Sequence, residues 1–115
     1  MSSNKLEKYC YALDLKDDDK LIKEYKEYHR SVWPEITTSI KEAGIKDLEI
    51  YLIANRLFMI MTVDDSFSFE QKASMDRNNP KVQEWETLMW TYQQALPCAK
   101  EGEKWMLMDK IFKLD

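Results

Sequence analysis

His29 is the single histidine in a chain of 115 residues, and histidine is the side chain whose unperturbed pKa lies near neutral pH. It lies four residues after Tyr25 in the segment Tyr25-Lys26-Glu27-Tyr28-His29-Arg30-Ser31-Val32-Trp33-Pro34-Glu35-Ile36. On a helix that spacing points both side chains the same way. A lone proton-transfer group beside aromatics suits acid/base chemistry on a small neutral substrate. Plain packing explains the same residues as well. A histidine or tyrosine on an apolar stripe is commonly core, and Trp33-Pro34-Glu35 also reads as a helix break with a packed indole.

A second aromatic group comes later. Trp85, Trp90 and Tyr92 fall on a late helical stretch, with Trp85 and Met89 on one face. Such residues usually form core, but an aromatic face also suits the apolar C–H side of a pyranose. Glu84 and Glu86 flank Trp85 and read as solvated by default. Asp17-Asp18-Asp19 and Asp64-Asp65 read as caps and turns. No Ser-His-Asp triad is identifiable. One histidine with scattered acids gives no metal-ligand spacing, so neither a metal nor a cofactor is expected.

Composition excludes several classes. A net charge of −4 argues against a nucleic-acid binder, which needs a basic face to displace counterions. No apolar run approaches the roughly 20 residues of a membrane span. Met1-Ser2-Ser3-Asn4-Lys5 lacks the apolar centre of a signal peptide. Cys10 and Cys98 are in no CxxC spacing and read as reduced thiols, which points to the cytoplasm. Two glycines leave no phosphate cradle, removing most nucleotide enzymes. A chain of this length with 44% hydrophobic residues suits one domain over 1–115 with one core.

The elements that must position these residues follow from periodicity. Lys8–Leu15 alternates Tyr9, Tyr11, Leu13 and Leu15 with smaller or polar residues and reads as a strand. Asp17–Asp19 supplies caps for a helix carrying Leu21, Ile22, Tyr25, Tyr28, His29 and Val32. Trp33–Ala43 restarts a helix at Pro34, with Gly44 as C-cap. Leu48–Ile53 and Arg56–Val63 are strands joined by Ala54-Asn55, where asparagine tolerates positive φ. Phe67–Met75 and Val82–Ala95 are helices, separated by the polar break Asp76–Pro80, and Trp105–Phe112 is a last strand. This order, βα(α)ββα(α)β, is the α+β, ferredoxin-like split βαβ pattern, with helices on one sheet face. Leu57, Met59, Met61 and Val63 alternate with Phe58 and Ile60, so Arg56–Val63 is apolar on both faces. No third layer remains in the chain to cover the second face. A second copy's sheet is the simplest cover, which predicts a homodimer.

The string Glu24-Tyr25-x-x-x-His29-x-x-Val32-Trp33-Pro34-Glu35-Ile36 resembles the L-rhamnose mutarotases. So do Ala43-Gly44, Glu49-Ile50-Tyr51-Leu52, Asn55-Arg56-Leu57-Phe58, Trp85-x-x-x-Met89 and Lys110-Ile111-Phe112. The resemblance runs from Tyr9 to Leu114. It implies a dimeric ferredoxin-like α/β barrel that interconverts the α and β anomers of a 6-deoxy sugar without metal or cofactor. It implies that His29 is the proton donor, that Tyr25 binds sugar and that Trp85 belongs to a sugar-binding tryptophan pair. Two positions depart from the family pattern: Leu48 stands where the rhamnose enzymes carry a tyrosine, and Glu86 where they carry the second tryptophan. Both positions contact sugar in that family, so Leu48 and Glu86 are expected to bear on which sugar is taken. L-fucose is a candidate, its methyl free to rest against Leu48 or Trp90. The proton partner of His29 is left open between Tyr25, Glu86 and a water. Two other readings compete: another small dimeric α/β-barrel enzyme of monooxygenase or dehydratase type, and a non-catalytic sugar-binding protein.

Overall fold

The computed structural model describes residues 5–114, so the reading of the extreme N-terminus lies largely outside the described residues. The elements are β1 (Glu7–Leu15), α1 (Asp19–Tyr28), α2 (Pro34–Glu42), β2 (Ile45–Ile53), β3 (Arg56–Val63), α3 (Phe69–Arg77), α4 (Pro80–Trp90), β4 (Gln93–Gln94) and β5 (Met106–Leu107). It is an α+β fold with an antiparallel sheet in the order β2-β3-β1-β4, and β5 also pairs with β1.

Helix boundaries follow local chemistry. The Asp18 carboxylate accepts from the Leu21 N–H at 3.0 Å to start α1, and the Ser68 hydroxyl accepts from Gln71 N–H at 3.1 Å to start α3. Asn79 caps α4 by accepting from Lys81 and Val82. Pro34 and Pro80 each open a helix, where a missing N–H costs nothing. Gly44 ends α2 at φ +94, a conformation that side chains disfavour.

Register sets the two faces of the sheet. Tyr9, Tyr11 and Leu13 lie opposite Met61, Met59 and Leu57, and Leu48, Ile50 and Leu52 flank the same three residues from β2. This is the face the helices cover. Leu15 and Leu57 join Tyr25, Ile36, Val82, Trp85, Met89 and Tyr92 in the main core. On the other face Tyr51 and Ile53 are 53% and 77% exposed, beside partly buried Phe58 and Ile60. No described helix covers them, in line with the two-sided apolar pattern of β3.

Three expectations need correction. The helix expected over Val82–Ala95 ends at Trp90, and Gln93-Gln94 form β4 against Leu15 and Asp14. The free edge of β1 decides this, because its peptide groups need partners and Lys16 N–H reaches Tyr92 O at 2.9 Å. Local helix propensity is too weak to oppose that pairing. The last strand, expected over Trp105–Phe112, contracts to Met106–Leu107, paired with Ala12 and Tyr11. One further bond joins Met108 N–H to Cys10 O at 2.7 Å, after which Ile111 and Phe112 are 94% and 75% exposed. In the β2–β3 turn it is Ala54, not Asn55, that takes positive φ, at 53°. Asn55 instead ties the turn to β1: its side-chain amide N–H donates to Leu15 O at 3.0 Å, and its backbone carbonyl accepts from Leu15 N–H at 2.7 Å.

Candidate active site

Tyr25 lies in the last turn of α1 and faces the core, only 4% exposed. His29 is the residue that ends that helix, its N–H still bonded to the carbonyls of Tyr25 and Lys26. Its imidazole turns back over the last turn, and Nδ1 lies 2.8 Å from the Tyr25 carbonyl oxygen. A carbonyl can only accept, so this bond assigns the proton of the neutral ring to Nδ1 and leaves the lone pair on Nε2. The ring stacks at a tilt on Tyr25, 4.4 Å between centroids, and meets Trp85 edge-on at 5.8 Å. Trp33 in turn packs edge-on against Trp85, 5.0 Å between centroids. The Trp33-Pro34 break therefore positions an indole against the tryptophan that borders His29.

Tyr25, His29 and Trp85 line a cavity of about 670 Å³ between the helices and the sheet, within the roughly 300–1,000 Å³ range of small-molecule sites. Tyr25, His29, Leu48, Trp85 and Glu86 all lie on its wall. The structure thus brings together the residue expected to move protons, His29, and the four expected to bear on sugar binding. Met89 lies there as well, sharing the buried face of α4 with Trp85. Trp90 does not line the cavity; it is turned outward under the Lys104 ammonium, 5.1 Å from its ring. Trp105 takes a place on the wall instead.

Burial pushes the His29 imidazole below its ordinary pKa, opposed in part by the bond to the Tyr25 carbonyl. At neutral pH the ring is neutral and Nε2 is a base. Burial pushes the Tyr25 hydroxyl up to about 12, against the effect of its hydrogen bond from Gln93. Tyr25 is therefore a neutral phenol that can donate but does not act as a base. Glu86 is half-buried. Burial first, then the Asp76 carboxylate, raise its pKa, while Lys104 and Lys72 lower it. Lys72 and Asp76 form an ion pair of 2.6 Å on the same wall. Among the described residues no cluster of histidine, cysteine or acidic side chains is arranged to hold a metal ion.

The sequence reasoning missed several wall residues. Tyr11 was within reach of it, since alternation along β1 puts Tyr11 on the same face as Leu13. Gln93 was not, because it was assigned to a helix. Lys72, Asp76 and Lys104 carry no local signal that separates them from ordinary surface charge.

The L-rhamnose mutarotase family model matches residues 8–114. An L-fucose mutarotase from Xanthomonas campestris is 45% identical over 111 residues, covering 95% of this chain and 89% of its own. An L-rhamnose mutarotase from Sinorhizobium fredii is 30% identical over 76% of each chain. The crystal structure of an L-rhamnose mutarotase from Formosa agariphila shares the fold at a TM-score of 0.70. It is 23% identical and covers 95% of this chain and 99% of its own. The match runs through the segments that carry Tyr25, His29 and Trp85, and the chain belongs to the L-rhamnose mutarotase family.

Proposed function

We propose that this chain is a mutarotase, an isomerase that interconverts the α and β anomers of a 6-deoxy aldose by opening and reclosing the ring at this cavity. The observation that carries the reading is His29, a neutral base at Nε2, on the wall of an aromatic-walled cavity beside a protonated tyrosine. A free aldose is a hemiacetal, so the reaction needs only proton movement. His29 Nε2 takes the proton of the anomeric hydroxyl. The O–H electrons form the aldehyde C=O, the bond from C1 to the ring oxygen breaks, and the ring oxygen keeps that pair and gains a proton. Rotation about C1–C2 and the reverse sequence give the other anomer. His29 thus acts first as base and then, as imidazolium, as the proton donor expected of it. Tyr25 is assigned to a sugar oxygen as hydrogen-bond donor, and Trp85 to the apolar face of the ring. No oxidant, metal or cofactor enters this balance.

L-Fucose and L-rhamnose are the proposed substrates, with Leu48 and Glu86 as the residues that discriminate between them. The similarity to the Xanthomonas L-fucose mutarotase supports including fucose. Leu48 offers an apolar surface to the C6 methyl, and Glu86 can accept from neighbouring hydroxyls. With Trp90 outside the cavity, the methyl would rest against Leu48.

The assembly proposed is a single-domain ferredoxin-like protomer that pairs as a dimeric α/β barrel, working in the cytoplasm. The exposed Tyr51 and Ile53 on the open sheet face support the pairing, as do the exposed Ile111 and Phe112 beyond β5. Saturation-transfer NMR over a panel of aldoses tests the activity. Exchange between the anomeric proton signals of a 6-deoxy sugar should speed up in proportion to added protein. A protein that binds sugar without speeding that exchange would refute the reading. No finding favours the monooxygenase or dehydratase alternative.

A further inference from the structure

Two tyrosines lie side by side behind His29, with their hydroxyls committed in opposite senses. The Tyr92 hydroxyl donates to Glu24 Oε1 at 3.1 Å, so its proton is spent. The Tyr25 hydroxyl instead accepts, from Gln93 Nε2 at 3.2 Å, in a bond buried on both sides. A phenol has one proton to give. Gln93 occupies an acceptor site of that oxygen and leaves the proton unspent, and Gln93 is the hydroxyl's one hydrogen-bond partner among the described residues. Both residues line the cavity.

We propose that Gln93 is a positioning residue, whose carboxamide N–H holds the Tyr25 hydroxyl with its proton directed into the cavity as a donor to the sugar. The inference rests on the mutarotase reading of this site. Its geometry is set by the sheet. Gln93 lies opposite Leu15 in the β1–β4 ladder, so a central strand fixes its backbone. Tyr25 is fixed by α1 and by ring contacts with His29 at 4.4 Å and Tyr92 at 6.2 Å. The helix stop at Trp90, which turns Gln93 into a strand residue, is what places the amide at that oxygen. A tyrosine held this way supports the oxygen that gains negative charge as the ring opens, while His29 removes the proton from the other oxygen. Uncommitted, the phenol would rotate among acceptors and would have to be ordered during each turnover.

The substitutions that separate this role from packing differ in polarity at constant size. Gln93→Glu replaces the donor by an acceptor, so the Tyr25 proton turns toward the introduced carboxylate and away from the sugar. Gln93→Met keeps the bulk and removes both functions, leaving the hydroxyl unheld but free to donate. Wild-type exchange is measured first, because absence of exchange in the wild-type protein refutes the mutarotase reading itself. With that established, the order of kcat should be wild type, then Gln93→Met, then Gln93→Glu, the last lower by roughly tenfold or more. The ratio of Gln93→Glu to wild type should also rise as pH falls, because the protonated carboxyl donates again. Gln93→Met should show no such limb; if Gln93→Glu does not fold, Gln93→Met with the wild-type kcat overturns the proposal. Gln93→Glu working as well as Gln93→Met, or with a ratio independent of pH, would overturn the proposal and show the Tyr25 proton already directed at residue 93.

Discussion

Replacing His29 is the most direct test of the proposed chemistry. In the neutral ring Nδ1–H is committed to the Tyr25 carbonyl at 2.8 Å, which leaves Nε2 as the single site for proton transfer. His29→Gln keeps an amide able to reach that carbonyl but cannot carry a proton. A general acid or base contributes roughly 10²–10⁴-fold, equivalent to about 2.7–5.4 kcal/mol on the barrier. Stability should suffer far less. The ring lies at the end of α1, only partly buried, and the core residues Tyr25 and Trp85 retain their other contacts, with Tyr92 and Trp33. The assay is anomer exchange by saturation-transfer NMR, corrected for the spontaneous rate, with the thermal melt as a check on folding. His29→Ala should lose as much. The expected result is a drop of about 10²-fold or more with a near-normal melt. Exchange within about threefold of wild type, against the 10²-fold expected of a lost general base, would remove His29 from the mechanism.

Burial lowers the His29 pKa, so the unfolded chain takes up the proton first, near its ordinary value of about 6.5. The stability linked to this group is complete above that pH and is lost as pH falls toward the folded value. The slope is at most about 1.4 kcal/mol per pH unit and should be absent from His29→Gln in urea titrations; the exchange rate of the folded protein should fall only at the acid end of that range and below it, where the folded ring itself takes up the proton. Light scattering at micromolar concentration should give twice the 13.8 kDa chain mass. A monomer there would refute pairing through the open sheet face. Gly44→Ala should destabilise the fold by roughly 2–4 kcal/mol in denaturant titrations. Its φ is +94, and an added Cβ would meet Ser66 Oγ at 2.7 Å and Asp64 Oδ1 at 2.8 Å. L-Fucose should be turned over at least as well as L-rhamnose; a preference for rhamnose of about tenfold, or 1.4 kcal/mol, would refute the roles given to Leu48 and Glu86.

The sequence by itself determined most of the secondary structure and the identity of the main site residues. Those features depend on neighbours along the chain. Alternation wrote β1 and β3, with β3 matching its expected bounds of Arg56–Val63. Asp18 and Pro34 marked helix starts, and the spacing of four placed Tyr25 under His29. The motif around His29 carried the family. The tertiary structure decided whatever depended on partners distant in the chain. The helical pattern after Val82 gave no sign that the free edge of β1 would claim Gln93 and Gln94, because edge pairing is a long-range hydrogen-bond requirement that side-chain periodicity does not encode. The positive φ of Ala54 belongs with this group: Asn55, the residue better suited to it, is held by Leu15, 40 positions earlier. The hold of Gln93 on the Tyr25 hydroxyl and the turning of Trp90 out of the cavity toward Lys104 likewise follow from contacts between residues distant in the chain. Residue types name the groups available for proton transfer. Packing decides which of their hydrogens and lone pairs remain free to do it.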